Sequence, residues 1–301
     1  MKIGIDVGGS HIGIGIVNSK GKLILKKEKD YDKKENNMSY IVVETIRKLL
    51  NEVLEEQKLK QSDIQMIGMA FPGTVTGTEV IKAENLGIEN LKIVEELQKD
   101  FNIPMHLEND AKVAAIAEKE YGSLMGYSDS LFLIVGTGVG GAAFIDGKLL
   151  KPKRYPGFEF GHMVIKENGL NCNCGRKGCF ESYSSIKRLK EKISNEFNLN
   201  TTDGKLIKEF MIKNKENENL NKILNTYIKD LCLGIANLIN IFEPEAISIG
   251  GSFAHYKEIL LDKLEKELDK KTELYNKGNI PKIVVAELKN DAGIIGATLI
   301  K

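Results

Sequence analysis

Lys2-Ile3-Gly4-Ile5-Asp6-Val7-Gly8-Gly9-Ser10 opens the chain, and Ile12-Gly13-Ile14-Gly15-Ile16-Val17 answers it. Alternating residues on both sides of a Gly-Gly-Ser turn predict a strand, a tight turn and a returning strand. Asn18 to Gly21 read as the next turn, and Lys22-Leu23-Ile24-Leu25 continues the meander. The same plan recurs. Leu131-Phe132-Leu133-Ile134-Val135 is an apolar strand, Gly136-Thr137-Gly138-Val139-Gly140-Gly141 a glycine-rich turn, and Ala142-Ala143-Phe144-Ile145 the return. Gly21-Lys22-Leu23 and its copy Gly147-Lys148-Leu149 stand 126 residues apart. The pattern reads as an internal duplication: two α/β domains, each opening with a β-hairpin whose turn can hold a phosphate.

Helices and strands alternate around these copies. Helical spacing runs over Ile41 to Leu54, Ile93 to Phe101, Ala111 to Glu120, Ile186 to Phe197, Leu220 to Ile241 and Ile259 to Leu268. Gln65 to Ala70, Pro104 to Leu107, Ala246 to Ile249 and Ile283 to Ala286 read as strands, and Lys213 to Asn219 as an exposed linker.

Length and composition bound the function. A chain of 301 residues with 42% hydrophobic and 28% charged residues can build about two packed domains. Lys+Arg number 43 and Asp+Glu 42, a net charge of +1 that gives no support for nucleic-acid binding. No run approaches the roughly 18 apolar residues that span a bilayer. Asp6 falls where a signal peptide needs apolar residues. A cytoplasmic protein with neither membrane nor nucleic acid as partner is the expectation.

The Gly136 to Gly141 run matches G-x-G-x-x-G, but a turn at Asp146-Gly147 arrives where a dinucleotide site needs a helix. A hairpin turn fits better, because glycines let several N–H groups converge on an anion. Ser10 and Thr137 each place a hydroxyl beside such a turn, and Asp6 ends its strand either as a ligand for magnesium or as a turn cap. Glu108-Asn109-Asp110 lies between a strand and the Ala111 helix. Those residues read first as helix caps, and otherwise as a carboxylate base with an orienting amide. His162, Cys172, Cys174 and Cys179 make a Cys3His set suited to one tetrahedral structural zinc ion. Cys232 follows the spacing of Ile228, Leu231, Ile235 and Leu238 and reads as core.

Five motifs in order resemble the ROK family of sugar kinases and repressors, within the sugar kinase/actin-like ATPase fold. They are Asp6-Val7-Gly8-Gly9-Ser10, Glu108-Asn109-Asp110-Ala111, the Gly136 to Gly141 run, Glu159-Phe160-Gly161-His162, and Cys172-x-Cys174-Gly175-x-x-Gly178-Cys179-x-Glu181. The resemblance implies two actin-like, ribonuclease H-like domains with a cleft between them. Residues 1–118 with 290–301 would form the first, and 119–289 the second, with a zinc-binding loop at 157–181. It implies transfer of the ATP γ-phosphoryl group, with magnesium, to the 6-hydroxyl of a hexose. Asp110 would be the catalytic base. Gly73, Asn85, Asn109, Glu159, His162 and Glu181 would surround the sugar. Asp6, Gly8, Gly9, Ser10, Thr137 and Gly138 would serve the phosphates, and Gly250, Gly251 and Ser252 would lie by the adenosine. Glucose is the first acceptor to expect and a homodimer the expected assembly; N-acetylmannosamine and fructose are alternative acceptors. Ser10-His11 stands where the family commonly has Thr-Lys, which keeps the hydroxyl, and His11 reads as an exposed turn residue. A non-catalytic, sugar-responsive regulator is the reading of another class. The family's repressors carry a further N-terminal helix-turn-helix domain, whereas here the first strand starts at Ile3.

Overall fold

The computed structural model of the chain describes residues 1–31, 37–154, 157–271 and 280–300. The chain divides into two units, one of Met1–Met125, Pro152–Pro156 and Leu288–Lys301, the other of Gly126–Lys151 and Gly157–Glu287.

The first unit is built on strands β1 (Lys2–Val7), β2 (His11–Val17) and β3 (Leu23–Asp30), followed by helix α1 (Met38–Glu56) and β4 (Met66–Phe71). Short strands β5 (Thr74–Val75), β6 (Val80–Ala83) and β7 (Ile88–Leu91) form a three-stranded antiparallel sheet, which the sequence pattern did not signal. Then come α2 (Ile93–Gln98), β8 (Met105–Asn109) and α3 (Asp110–Tyr121). The main sheet has the order β3-β2-β1-β4-β8. β2 is antiparallel to β1 and β3, while β1, β4 and β8 run parallel. Ile3, Ile5 and Ile14 are fully buried and share a core with Val42, Ile46, Leu50 and Val53 of α1. That explains the helical spacing of α1: its apolar stripe covers the sheet. Asn37 caps this helix by accepting the Tyr40 N–H at 3.1 Å.

The second unit repeats the plan. Strands β9 (Ser130–Val135), β10 (Val139–Ile145) and β11 (Lys148–Leu149) are followed by helices α4 (Glu181–Ser184), α5 (Ile186–Glu196), α6 (Gly204–Lys213) and α7 (Glu218–Phe242). Strand β12 (Ala246–Gly250), helix α8 (Lys257–Lys271) and strand β13 (Lys282–Val285) complete it. The sheet order is β11-β10-β9-β12-β13, the first unit's order in new strands, with the same antiparallel and parallel pairings. The core joins Leu131, Leu133, Ile247 and Ile249 to Leu231, Ile235 and Leu238 of α7. Cys232 is fully buried among them, as its spacing predicted. The polar stretch read as a linker is the exposed turn between α6 and α7; the helical character of α6 was not foreseen. Glu243 leaves α7 in the left-handed region at φ 44°, and Pro244 prevents continuation.

The last helix, α9 (Ala292–Ala297), belongs to the first unit. It lies across a row of glycines, since Gly4 pairs with Gly15 on one side and Gly68 on the other. A Cβ at Gly4 would stand 1.9 Å from the Ile294 carbonyl oxygen, and one at Gly68 1.6 Å from that of Ala297. Glycine inside a strand weakens it, so three abreast mark a place where another backbone must approach. Fully buried Glu118 of α3 ties down the same segment: Oε1 accepts the Leu288 N–H at 2.7 Å, and Oε2 accepts the Ser123 N–H and Oγ–H at 2.8 Å. No helix among the described residues is long and apolar enough to cross a membrane.

Candidate functional site

In the first unit, parallel strands β1, β4 and β8 end on one side of the sheet, and candidate site residues gather there. Asp6 is the penultimate residue of β1, and Asp110 is the first residue of α3, immediately after β8. Burial pushes the Asp6 carboxyl up to about 6, and the Asp110 charge adds to the rise; His11 and Lys26 oppose it. Lys26 is itself engaged by Glu28 at 2.7 Å and Asp291 at 2.9 Å. Two carboxylates in mutual repulsion, one half-buried, make a natural seat for a cation.

Asn109 is a helix cap and a loop clamp at once. Its Oδ1 accepts the N–H groups of Ala111 at 3.1 Å and Lys112 at 3.3 Å, capping α3. Its Nδ2 donates to the Gly73 carbonyl at 3.0 Å, which binds the loop after β4 to the end of β8. Gly73 holds φ +93°, a conformation that favours glycine, with its Cα against the backbone of Lys82. Asp110 Oδ1 accepts the N–H of Ala111 at 2.8 Å. Asn85 is exposed in the turn that follows β6.

The Gly8-Gly9-Ser10 turn stands beside Asp6, closed by the Gly8 N–H donating to the His11 carbonyl at 2.9 Å. Tyr31, just past β3, was absent from the sequence-based candidates. Its hydroxyl donates to the Gly8 carbonyl, and its N–H donates to the Ser10 carbonyl at 3.0 Å.

In the second unit, the Gly136-Thr137-Gly138 turn is closed by the Gly136 N–H donating to the Gly138 carbonyl at 2.9 Å. The Lys187 N–H donates to the Gly136 carbonyl at 3.1 Å. The Gly250-Gly251-Ser252 loop, with Gly251 at φ +69°, lies against this turn; Ser252 Oγ would be 3.7 Å from a Cβ at Gly136. Glu181 joins the turn to the cysteine cluster. Its Oε2 accepts the Val139 N–H at 3.4 Å, and its Oε1 lies 3.1 Å from Cys172 Sγ and 3.6 Å from His162 Nδ1. Glu159 is exposed at the entry to the short helical turn Phe160–His162. Phe158 before it holds φ +60°, a region bulky side chains avoid.

The ligand atoms of His162, Cys172, Cys174 and Cys179 all lie within 4.8 Å of one another. Cys174 and Cys179 Sγ are 3.6 Å apart, as are Cys172 Sγ and His162 Nδ1. Zinc–sulfur bonds of about 2.3 Å in a tetrahedron place ligand atoms about 3.8 Å apart. The donor set and its spacing therefore fit one zinc ion, with no ligand position left for chemistry. Burial pushes the Cys172 thiol up to about 12. Burial also works against Cys174, but hydrogen bonds from the Arg176 backbone and side chain and the neighbouring thiols bring it down to about 6. Burial raises the Cys179 thiol too, so of the three it is Cys174 that is drawn toward the thiolate.

The chain is 29% identical to the xylose repressor of Caldicellulosiruptor bescii, over 98% of this chain and 76% of the repressor. It is 28% identical to a glucokinase of Thermotoga maritima, over 99% of this chain and 96% of that protein. Its fold matches a ROK family glucokinase from Streptomyces griseus, solved in complex with glucose and AMPPNP, with a TM-score of 0.82 and 24% identity over 99% of this chain and 97% of that one. The ROK family model matches residues 2–301, and with the actin-like fold and the His–Cys cluster in place, this chain belongs to the ROK family.

Proposed function

We propose that this protein is an ATP-dependent hexose kinase that phosphorylates the sugar 6-hydroxyl, with glucose as acceptor. The observation that carries the reading is the carboxylate pair. Asp110 sits on the first turn of α3 within electrostatic reach of the half-buried Asp6, and Asn109 beside it is locked to Gly73. Phosphoryl transfer asks little covalent chemistry of a protein; it asks for positioning, charge stabilisation and late removal of the alcohol proton. Asp110 takes that proton on a carboxylate oxygen. Asn109, Gly73 and Asn85 of the first unit, and Glu159, His162 and Glu181 of the second, bind the hydroxyls. Gly8, Gly9, Ser10, Thr137 and Gly138 offer N–H and hydroxyl donors to the phosphates, and Gly250, Gly251 and Ser252 serve the adenosine. Asp6 holds magnesium, directly or through water, which would neutralise phosphate charge when bound. Zinc at His162, Cys172, Cys174 and Cys179 stiffens the loop that carries Glu159 and Glu181. A homodimer is part of this proposal, and sedimentation velocity checks it.

The 29% identity to a repressor over nearly the whole chain favours a second reading, a sugar-responsive regulator without turnover. ATP turnover with magnesium against a panel of hexoses separates the two. Glucose-dependent ADP release is the expected result. Preference for N-acetylmannosamine or fructose would keep the mechanism and change the acceptor. Sugar binding with no turnover on any acceptor would overturn the kinase reading in favour of the regulator.

A further inference from the structure

We infer that Tyr31 is a positioning residue for the first phosphate-binding turn, which it holds with N–H groups outward by taking the carbonyls of Gly8 and Ser10. The inference rests on the kinase reading. It starts from a requirement of any backbone anion site: the N–H groups must face the ligand, so the carbonyls of the same peptides must face away and find other partners. In the turn after β1, Tyr31 supplies such a partner to the Gly8 carbonyl, which shares its peptide with the Gly9 N–H, and anchors the turn's far end at the peptide between Ser10 and His11. Its hydroxyl donates to the Gly8 carbonyl and its backbone N–H donates to the Ser10 carbonyl. The Gly8 N–H is spent on closing the turn at His11. Among the described residues, the N–H groups of Gly9 and Ser10 find no backbone acceptor, and Ser10 is exposed.

The second unit supports the inference independently. Its turn meets the same need at the equivalent carbonyl, that of Gly136, which accepts a main-chain N–H from Lys187. In both copies, the first glycine after the strand has its carbonyl held by a donor from outside the hairpin. Only in the first copy is that donor a side chain, so only there can one substitution remove it. Burial holds the Tyr31 hydroxyl up at about 12, so it stays a donor at every working pH.

The test is Tyr31→Phe in the full chain, which deletes one oxygen and keeps the ring. Exposed Tyr40→Phe serves as the control. The probes are a non-hydrolysable ATP analogue with magnesium, measured by calorimetry, and the KM values for ATP and glucose. The loss of one hydrogen bond to the turn is expected to weaken analogue binding and raise the KM for ATP by about fivefold. The KM for glucose and the melting temperature should stay at wild-type values. A merely structural tyrosine would lower the melting temperature and shift both KM values together, and that result would overturn the inference. Analogue affinity equal to wild type would overturn it as well, with the kinase reading intact. If the wild-type protein binds no nucleotide, the kinase reading falls and this inference falls with it. Tyr31→Ala, if it folds, should weaken the analogue further than Tyr31→Phe.

Discussion

The two sheets share one strand order and differ in what stands at matching positions. β1 pairs with β2 through Asp6↔Gly13 and Val7↔Ile12, and β9 pairs with β10 through Ile134↔Gly140 and Val135↔Val139. The penultimate position of the first strand is therefore an acid in one copy and isoleucine in the other. β8 runs directly into Asp110, whereas β13 ends at Val285 and is followed by Ala286. In exchange, the second unit carries the three thiols, the imidazole and Glu181. One scaffold occurs twice with different side chains on it: paired carboxylates on one sheet, a His–Cys cluster fit for a metal on the other. A mixed sheet with a hairpin turn at the end of its central strand supplies the backbone geometry both times. Side chains at two or three positions then decide what each copy can do.

The sharpest way to break this comparison is to remove the acid that only the first copy has. Asp110→Asn should keep the cap on α3 and lower glucose-dependent turnover by about 100- to 10,000-fold, while glucose binding persists. Turnover within tenfold of wild type would mean the base lies elsewhere.

Next comes the metal. Cys179 is fully buried, and Cys179→Ser should reduce bound zinc from one per chain to well below it by elemental analysis. Hydrogen exchange should then quicken in the zinc loop and α4, with protection of β1 and β4 unchanged. Equal loss of protection in both sheets would contradict a metal that serves one unit.

The acid pair also has a signature in stability. The folded Asp6 pKa of about 6 lies above the ordinary 3.8, so the native state holds a proton that the unfolded chain releases first. This group's contribution is present at low pH and is lost as pH rises from about 4 to about 6, at a cost of roughly 3 kcal/mol. In magnesium-free buffer, Asp6→Asn should abolish that part of the pH dependence and be more stable than wild type near neutrality. The second copy, with Ile134 at the matching place, has no such slope there, and Ile134→Asp should create one. Parallel wild-type and Asp6→Asn pH profiles would count against the half-buried carboxylate.

The smallest effect concerns the glycine row that receives α9. Gly68→Ala should destabilise the first unit by about 1–3 kcal/mol in denaturant unfolding, because the added methyl meets the Ala297 carbonyl. Gly77, with open space around its Cα, should tolerate alanine within about 0.5 kcal/mol.

Much of this was legible in the chain because the signals are local. Alternation around Gly8-Gly9-Ser10 and around Gly136-Thr137-Gly138 marked both hairpins, and the repeated Gly-Lys-Leu marked the duplication. Cysteines within eight residues of one another had to share a loop, so a metal set could be proposed before any coordinates. The three-stranded sheet β5-β6-β7 was missed because strands of two to four residues carry too little periodicity. Helix α6 was overlooked beside the polar run that follows it.

Other features depend on sequence-distant groups meeting. Asp6 reads as a polar end to a strand; burial raises its pKa, and the charge that adds to the rise belongs to Asp110, over a hundred residues away. Gly4, Gly15 and Gly68 are unremarkable singly and become a groove only when sheet register sets them side by side. Glu118 looks like one more surface acid of a helix until the Leu288 and Ser123 donors surround it. Tyr31 was silent for the same reason, since a hydroxyl that holds a carbonyl leaves no periodic trace. Spacing along the chain determined the strands, the turns and the metal ligands, because those depend on near neighbours. The acid pair, the seat of α9 and the hold of Tyr31 on the Gly8-Gly9-Ser10 turn were decided by tertiary structure, because hydrogen bonds and Coulomb forces act through space.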